Sequence, residues 1–124
     1  MFEVERDGER VAGRAAGIDR AHLAKLRRGE PAPDRELDLH GLTAAEARED
    51  VTFEIQDAWH EGERCVRIVT GRGLRSPLGP VLRDSVIEWL QAPPLSDRVM
   101  AFTSAPSALG GTGALLVLLR RARR

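Results

Sequence analysis

Residues Ala114 to Leu119 form an unbroken apolar run, Ala-Leu-Leu-Val-Leu-Leu, set between Gly110-Gly111-Thr112-Gly113 and Arg120-Arg121. A run of this kind suits a strand buried on both faces. The chain must therefore build a sheet around it. Val99-Met100-Ala101-Phe102 and Cys65-Val66-Arg67-Ile68-Val69-Thr70 are two further strands, each followed by a loop rich in glycine or other small residues. A fourth, Glu36 to His40, alternates: Leu37 and Leu39 point one way, and Glu36, Asp38 and His40 the other.

Two helices separate these strands. Thr43-Ala44-Ala45-Glu46 is a capping box, and Ala47, Val51, Ile55, Ala58 and Trp59 follow at helical spacing until Gly62. Gly79-Pro80 opens the second helix, whose apolar stripe is Leu82, Val86, Trp89 and Leu90 and which Pro93-Pro94 ends. The order is βαβαββ over residues 36–120. It predicts an α/β two-layer sandwich with a four-stranded mixed sheet, its first two strands parallel through a right-handed crossover. Residues 1–18 show no clear period and read as a flexible or loosely packed arm. A short helix follows, from the N-cap Asp19 to Gly29, and Pro31-Ala32-Pro33 links it to the first strand. The expected organisation is an N-terminal arm with a helical extension over 1–33 and one domain over 34–124.

The 124 residues suffice for one domain. No apolar run approaches the length of a membrane span. The first ten residues carry no signal-peptide segment, and one cysteine permits no internal disulfide, so the default compartment is the cytoplasm. The formal net charge is zero. Residues 1–64 hold 10 basic and 16 acidic residues, a net of −6, and residues 65–124 hold 9 and 3, a net of +6. A basic half attracts phosphates even when the whole chain is neutral.

Parallel strands present their carboxyl ends at one sheet edge, where ligands of open α/β sheets bind. That edge receives Asp38-Leu39-His40-Gly41 from the first strand and Thr70-Gly71-Arg72-Gly73 from the second. An acid and an imidazole on one strand face, their roots about 7 Å apart, can move protons. Gly41 ends the strand and lets another segment approach closely. The glycine loop offers backbone N–H groups and the Arg72 guanidinium to an anion, with Arg75 close behind. A phosphodiester fits such a site. Cys65 reads as an inert structural thiol, and Trp59, Trp89, Met100 and Phe102 as core.

Leu37 to Thr43, Glu46-Ala47, Thr70 to Gly73, Trp89-Leu90, Val99 to Phe102 and Gly110 to Ala114 together resemble the Smr domain, the small MutS-related family. The resemblance covers about residues 34–120. It implies nucleic-acid binding and, in many members, endonuclease activity on DNA or RNA, in some cases on messenger RNA at stalled ribosomes. It implies cleavage by the acid-Leu-His-Gly motif, here Asp38, Leu39, His40 and Gly41. Its second motif falls on Thr70, Gly71, Arg72 and Gly73; some cleaving members carry histidine where this chain has Thr70. The expected partners are nucleic acid and the ribosome. RNA cleavage by the 2′-hydroxyl requires no cofactor, whereas attack by water on DNA brings in a divalent cation, Mg or Mn. No preformed metal site is expected from one carboxylate and one histidine. Two other readings stand beside this one. One is a non-catalytic nucleic-acid-binding module using Arg72, Arg75 and the arginines of 120–124. The other is a protein-interaction domain presenting Glu46, Glu49, Asp50, Glu54 and Asp57.

Overall fold

The computed structural model describes residues 1–71 and 78–122. The strands are β1 (Phe2–Asp7), β2 (Arg10–Ala15), β3 (Arg35–Asp38), β4 (Cys65–Val69), β5 (Val99–Ser104) and β6 (Ala114–Leu119). The helices are α1 (Arg20–Arg27), α2 (Ala44–His60) and α3 (Gly79–Gln91). All six strands join one mixed sheet in the order β1-β2-β5-β6-β4-β3. β3 and β4 are parallel, joined through α2, and every other pairing is antiparallel.

The four-stranded sheet with a loose arm over 1–18 is thereby corrected. Residues 2–15 are a hairpin that turns at Gly8 (φ +61°) and adds two strands beside β5. β1 is Phe-Glu-Val-Glu-Arg-Asp, and all of it but Phe2 is exposed. As an edge strand it hides little apolar surface, and its charges discourage pairing with another chain. β2 is held differently. Val11 is buried, and Gly13 lies against the ring of Phe102, which a Cβ at this position would overlap. Val11 belongs to the same core cluster as Phe102, Val66 and Leu115.

The two-layer arrangement also needs revision. α2 and α3 cover one face, with Val51, Ile55, Val86 and Leu90 against Val66, Ile68, Leu115 and Val117. α1 covers part of the other, where Leu23 and Leu26 join Ala101, Leu116 and Leu118. This third, partial layer explains why every residue of β6 is buried. Each leucine so placed contributes roughly 1.5–3 kcal/mol relative to exposure.

The helix signals act as their residues dictate. Asp19 caps α1 by accepting from the Ala21 N–H at 2.8 Å. Thr43 and Glu46 complete the capping box of α2, at 3.2 Å and 2.9 Å. Arg35 anchors β3, the other edge strand, to α2 and its C-terminal turn through Glu63 (2.6 Å), Glu54 (2.8 Å) and Asp57 (3.0 Å). Among the described residues no helix is long and apolar enough to cross a membrane.

Candidate active site at the carboxyl edge of the parallel strands

β3 delivers Asp38 and His40 to the sheet edge by a change of geometry at Leu39. Leu39 is fully buried, and its N–H donates to the Val69 carbonyl at 2.8 Å, locking the end of β3 to the end of β4. There the strand stops. Asp38 Oδ1 accepts the backbone N–H of His40 at 2.9 Å, and the Leu42 N–H donates back to the Leu39 carbonyl at 3.1 Å. The acid thus shapes the turn that carries the histidine, in the manner of an Asx turn. Asp38 and His40 are both exposed. Among the described residues Asp38 Oδ2 and both imidazole nitrogens have no protein hydrogen-bond partner.

The expectation that both side chains stand on one strand face is therefore refined: Asp38 ends the strand and His40 sits in the turn. Gly41 has φ +83°, a conformation glycine adopts without strain. Among the described residues a Cβ there would meet nothing within 4 Å. Backbone conformation by itself therefore favours glycine at this position.

The end of β4 lies alongside, as the crossover topology requires. Leu37 pairs with Ile68 and Asp38 with Val69. Thr70 is 1% exposed, and its N–H and that of Gly71 both donate to the Gly113 carbonyl, at 2.9 Å and 3.0 Å; the Thr70 hydroxyl lies 3.4 Å from the same oxygen. Those two N–H groups are engaged within the protein, so the anion cradle does not include them. Arg72, Gly73 and Arg75 lie outside the described residues.

Three structural positions that the sequence reading passes over hold this edge together. Gly113 clamps the end of β4 from the β5–β6 connection. Gly79, the first residue of α3, packs so closely on the Gly71 carbonyl that a Cβ would overlap it. Arg67 pairs with Glu36 across β3 and donates through Nε to the Leu109 carbonyl at 2.7 Å. The Gly110-Gly111 pair and the Gly-Pro pair at 79–80 are the sequence signals for the first two; Arg67 carries no such signal. Glu46, which follows the turn, is held below the usual glutamate range by the Thr43 backbone N–H and then by the Thr43 hydroxyl. Among the described residues no group of three or more His, Cys, Asp or Glu is placed to hold a metal ion.

Asp38-Leu39-His40-Gly41, the buried Thr70-Gly71 step and the Gly113 clamp form one constellation at one edge. The chain as a whole is similar to known proteins. The Smr domain model matches residues 37–120. The ribosome rescue factor SmrB of Yersinia enterocolitica is 39% identical over 103 residues, covering 83% of this chain and 54% of that protein. SmrB of Haemophilus ducreyi is 35% identical over 118 residues, covering 95% and 62%. The chain thus spans between about half and two thirds of the length of these relatives. Among solved structures, the stand-alone small MutS-related protein YdaL from Escherichia coli superposes with a TM-score of 0.75 at 33% identity, over 89% of this chain and 82% of YdaL. The Smr domain of Thermus thermophilus MutS2 superposes at 0.59 and 35% identity, over 69% of this chain and 98% of that domain. The YdaL match covers more of the chain than the Smr-model segment does. With the family model spanning most of its length and its core elements in the family's order, the chain belongs to the Smr domain family.

Proposed function

We propose that this protein is a nucleic-acid-binding endonuclease that cleaves phosphodiester bonds in the cytoplasm, prefers RNA to DNA, and works in a ribosome-linked setting. The observation that supports it most is the exposed His40 imidazole on a turn fixed by the Asp38 carboxylate, beside the end of β4. Relatives called ribosome rescue factors support the cellular setting.

On this reading His40 takes the proton from the attacking oxygen or gives one to the leaving oxygen. General acid–base catalysis of this kind contributes about 10²–10⁴-fold. Asp38 Oδ1 holds the turn, and Oδ2 is available to orient the imidazole's proton or a water. With RNA the 2′-hydroxyl attacks the adjacent phosphorus, the 5′-oxygen leaves, and a 2′,3′-cyclic phosphate results. With DNA water must attack. Asp38 is then the side chain that would help hold a divalent cation, Mg or Mn, whose chemistry would be to polarise the phosphate and its attacking water. Gly41, Thr70 and Gly71 shape the floor under the phosphate. Arg72, Gly73 and Arg75 belong to the proposed phosphate-binding loop by sequence.

One observation favours the alternative, a binding module without catalysis. Thr70 is buried against Gly113 at the position where some cleaving members carry histidine, so this edge offers one imidazole. The two readings separate in a cleavage assay on end-labelled RNA and DNA, with and without chelator. The endonuclease cuts RNA with chelator present and leaves 2′,3′-cyclic phosphate ends. A chain that binds both substrates and cuts neither is the module.

A further inference from the structure

The pole of the sheet opposite the acid–histidine edge is built for anions as well. There α2 ends, β5 begins and β6 ends. Trp59, Ser96, Asp97, Arg98, Arg120 and Arg121 line a cavity of about 480 Å³. The Arg98 guanidinium lies 3.8 Å from the centroid of the Trp59 ring, and its Nε donates to Gln56 Oε1 at 3.1 Å. The Arg120 N–H donates to the Arg98 carbonyl at 2.8 Å, which ties the two strand ends together. Arg64 stands close by, its Nε donating to the Leu119 carbonyl at 3.0 Å. Burial and then the neighbouring Arg121 charge push its guanidinium below the ordinary arginine value.

Among the described residues most arginines outside this pole are paired with a carboxylate, Arg10 and Arg48 excepted. Arg6, Arg14, Arg20, Arg27, Arg28, Arg35, Arg67 and Arg83 each have a carboxylate within 4.0 Å. Among the described residues Arg64, Arg98, Arg120 and Arg121 have none, although Asp97 lines the same cavity. Four cations gathered with only Asp97 in the cavity and Asp34 near Arg64 to offset them repel one another and are stabilised by a polyanion. The Trp59 Nε1 is buried without an acceptor, which adds to the local excess of donors. A guanidinium row beside an indole suits the alternating phosphates of a nucleic-acid strand better than a small acid, which would meet one or two of these groups.

We propose that this pole is a second nucleic-acid site, at which Arg98, Arg120 and Arg121 hold the phosphodiester backbone of a single strand away from the site of cutting. The six residues of β6 set the two poles about 20 Å apart. A strand gripped at both is positioned over His40 by contacts that take no part in the chemistry. The inference rests on the reading that the chain binds nucleic acid, but not on its cutting it.

The test measures affinity for labelled single-stranded RNA as a function of salt, in the full chain carrying His40→Ala so that nothing is cut. Each phosphate contact on a single strand adds about 0.7 to the slope of log K against log salt. Arg120→Gln with Arg121→Gln lowers the slope by about 1.4, so between 50 and 200 mM salt this variant loses about 7-fold less affinity than its parent. Asp97→Asn, which removes the one carboxylate lining the cavity, tightens binding. An unchanged slope in the double variant overturns the proposal. An unchanged slope together with lost binding of polyglutamate overturns it in favour of an acidic protein segment. If the chain with His40 intact cuts no substrate while the slope change holds in the His40→Ala background, the endonuclease reading fails and this site stands.

Discussion

At the scale of single residues, Gly41 and Cys65 show how differently two unremarkable letters act. Gly41 has φ +83°, and among the described residues nothing lies within 4 Å of a Cβ placed there. Gly41→Ala therefore costs about 1–2 kcal/mol through backbone conformation alone, and Gly41→Asn costs less, because asparagine tolerates this region. Denaturant melts of the two variants check that order. Cys65 is fully buried, and its thiol is pushed up to about 12, by burial first and by the Asp34 carboxylate second. The neutral thiol persists until pH approaches that value, so Cys65 resists alkylation at pH 8 in the native chain and reacts on unfolding. Fast native labelling at pH 8 contradicts this. Cys65 was legible in the sequence as a structural thiol. The role of Gly41 was not, since a glycine that ends a strand reads the same whether it makes room or turns the chain.

Local elements were the most legible part of the chain, because their signals are carried by contiguous residues. The capping box at Thr43-Glu46, the N-cap at Asp19 and the apolar run of β6 each formed where the sequence placed them. Thr43→Ala removes one half of the box and costs about 1 kcal/mol, read as a shift in the thermal unfolding midpoint. Glu46 is held below its ordinary value in the fold, so its contribution is present above the unfolded pKa of about 4.3 and is lost as pH falls through the folded value. The Thr43→Ala penalty accordingly shrinks as pH falls through the folded Glu46 value. A penalty that grows there contradicts the assignment. The edge strand β1 was illegible for a physical reason: a strand stabilised by backbone pairing, with five exposed side chains, leaves no burial pattern to read.

For the molecule as a whole, sequence order gave the crossover and hence the meeting of Asp38-His40 with Thr70-Gly71. It did not give the sheet's full width. β2 is fixed by Gly13 against Phe102 and by Val11 in the core, contacts about 90 residues apart along the chain. The hairpin is consequently part of the folding unit. A chain lacking residues 1–15 exposes Phe102 and an unpaired β5 edge, and it melts well below the full chain or fails to fold. A truncated chain with an unchanged melting temperature shows the hairpin to be an accessory.

The proposed chemistry sits in the turn after β3. The initial rate of RNA cleavage by the full chain, compared with that of His40→Ala at matched RNA affinity, decides whether it does. His40→Ala is expected to lose about 10²–10⁴-fold in rate, with binding within a few fold of the parent. Cleavage by His40→Ala at the parent's rate places the chemistry elsewhere.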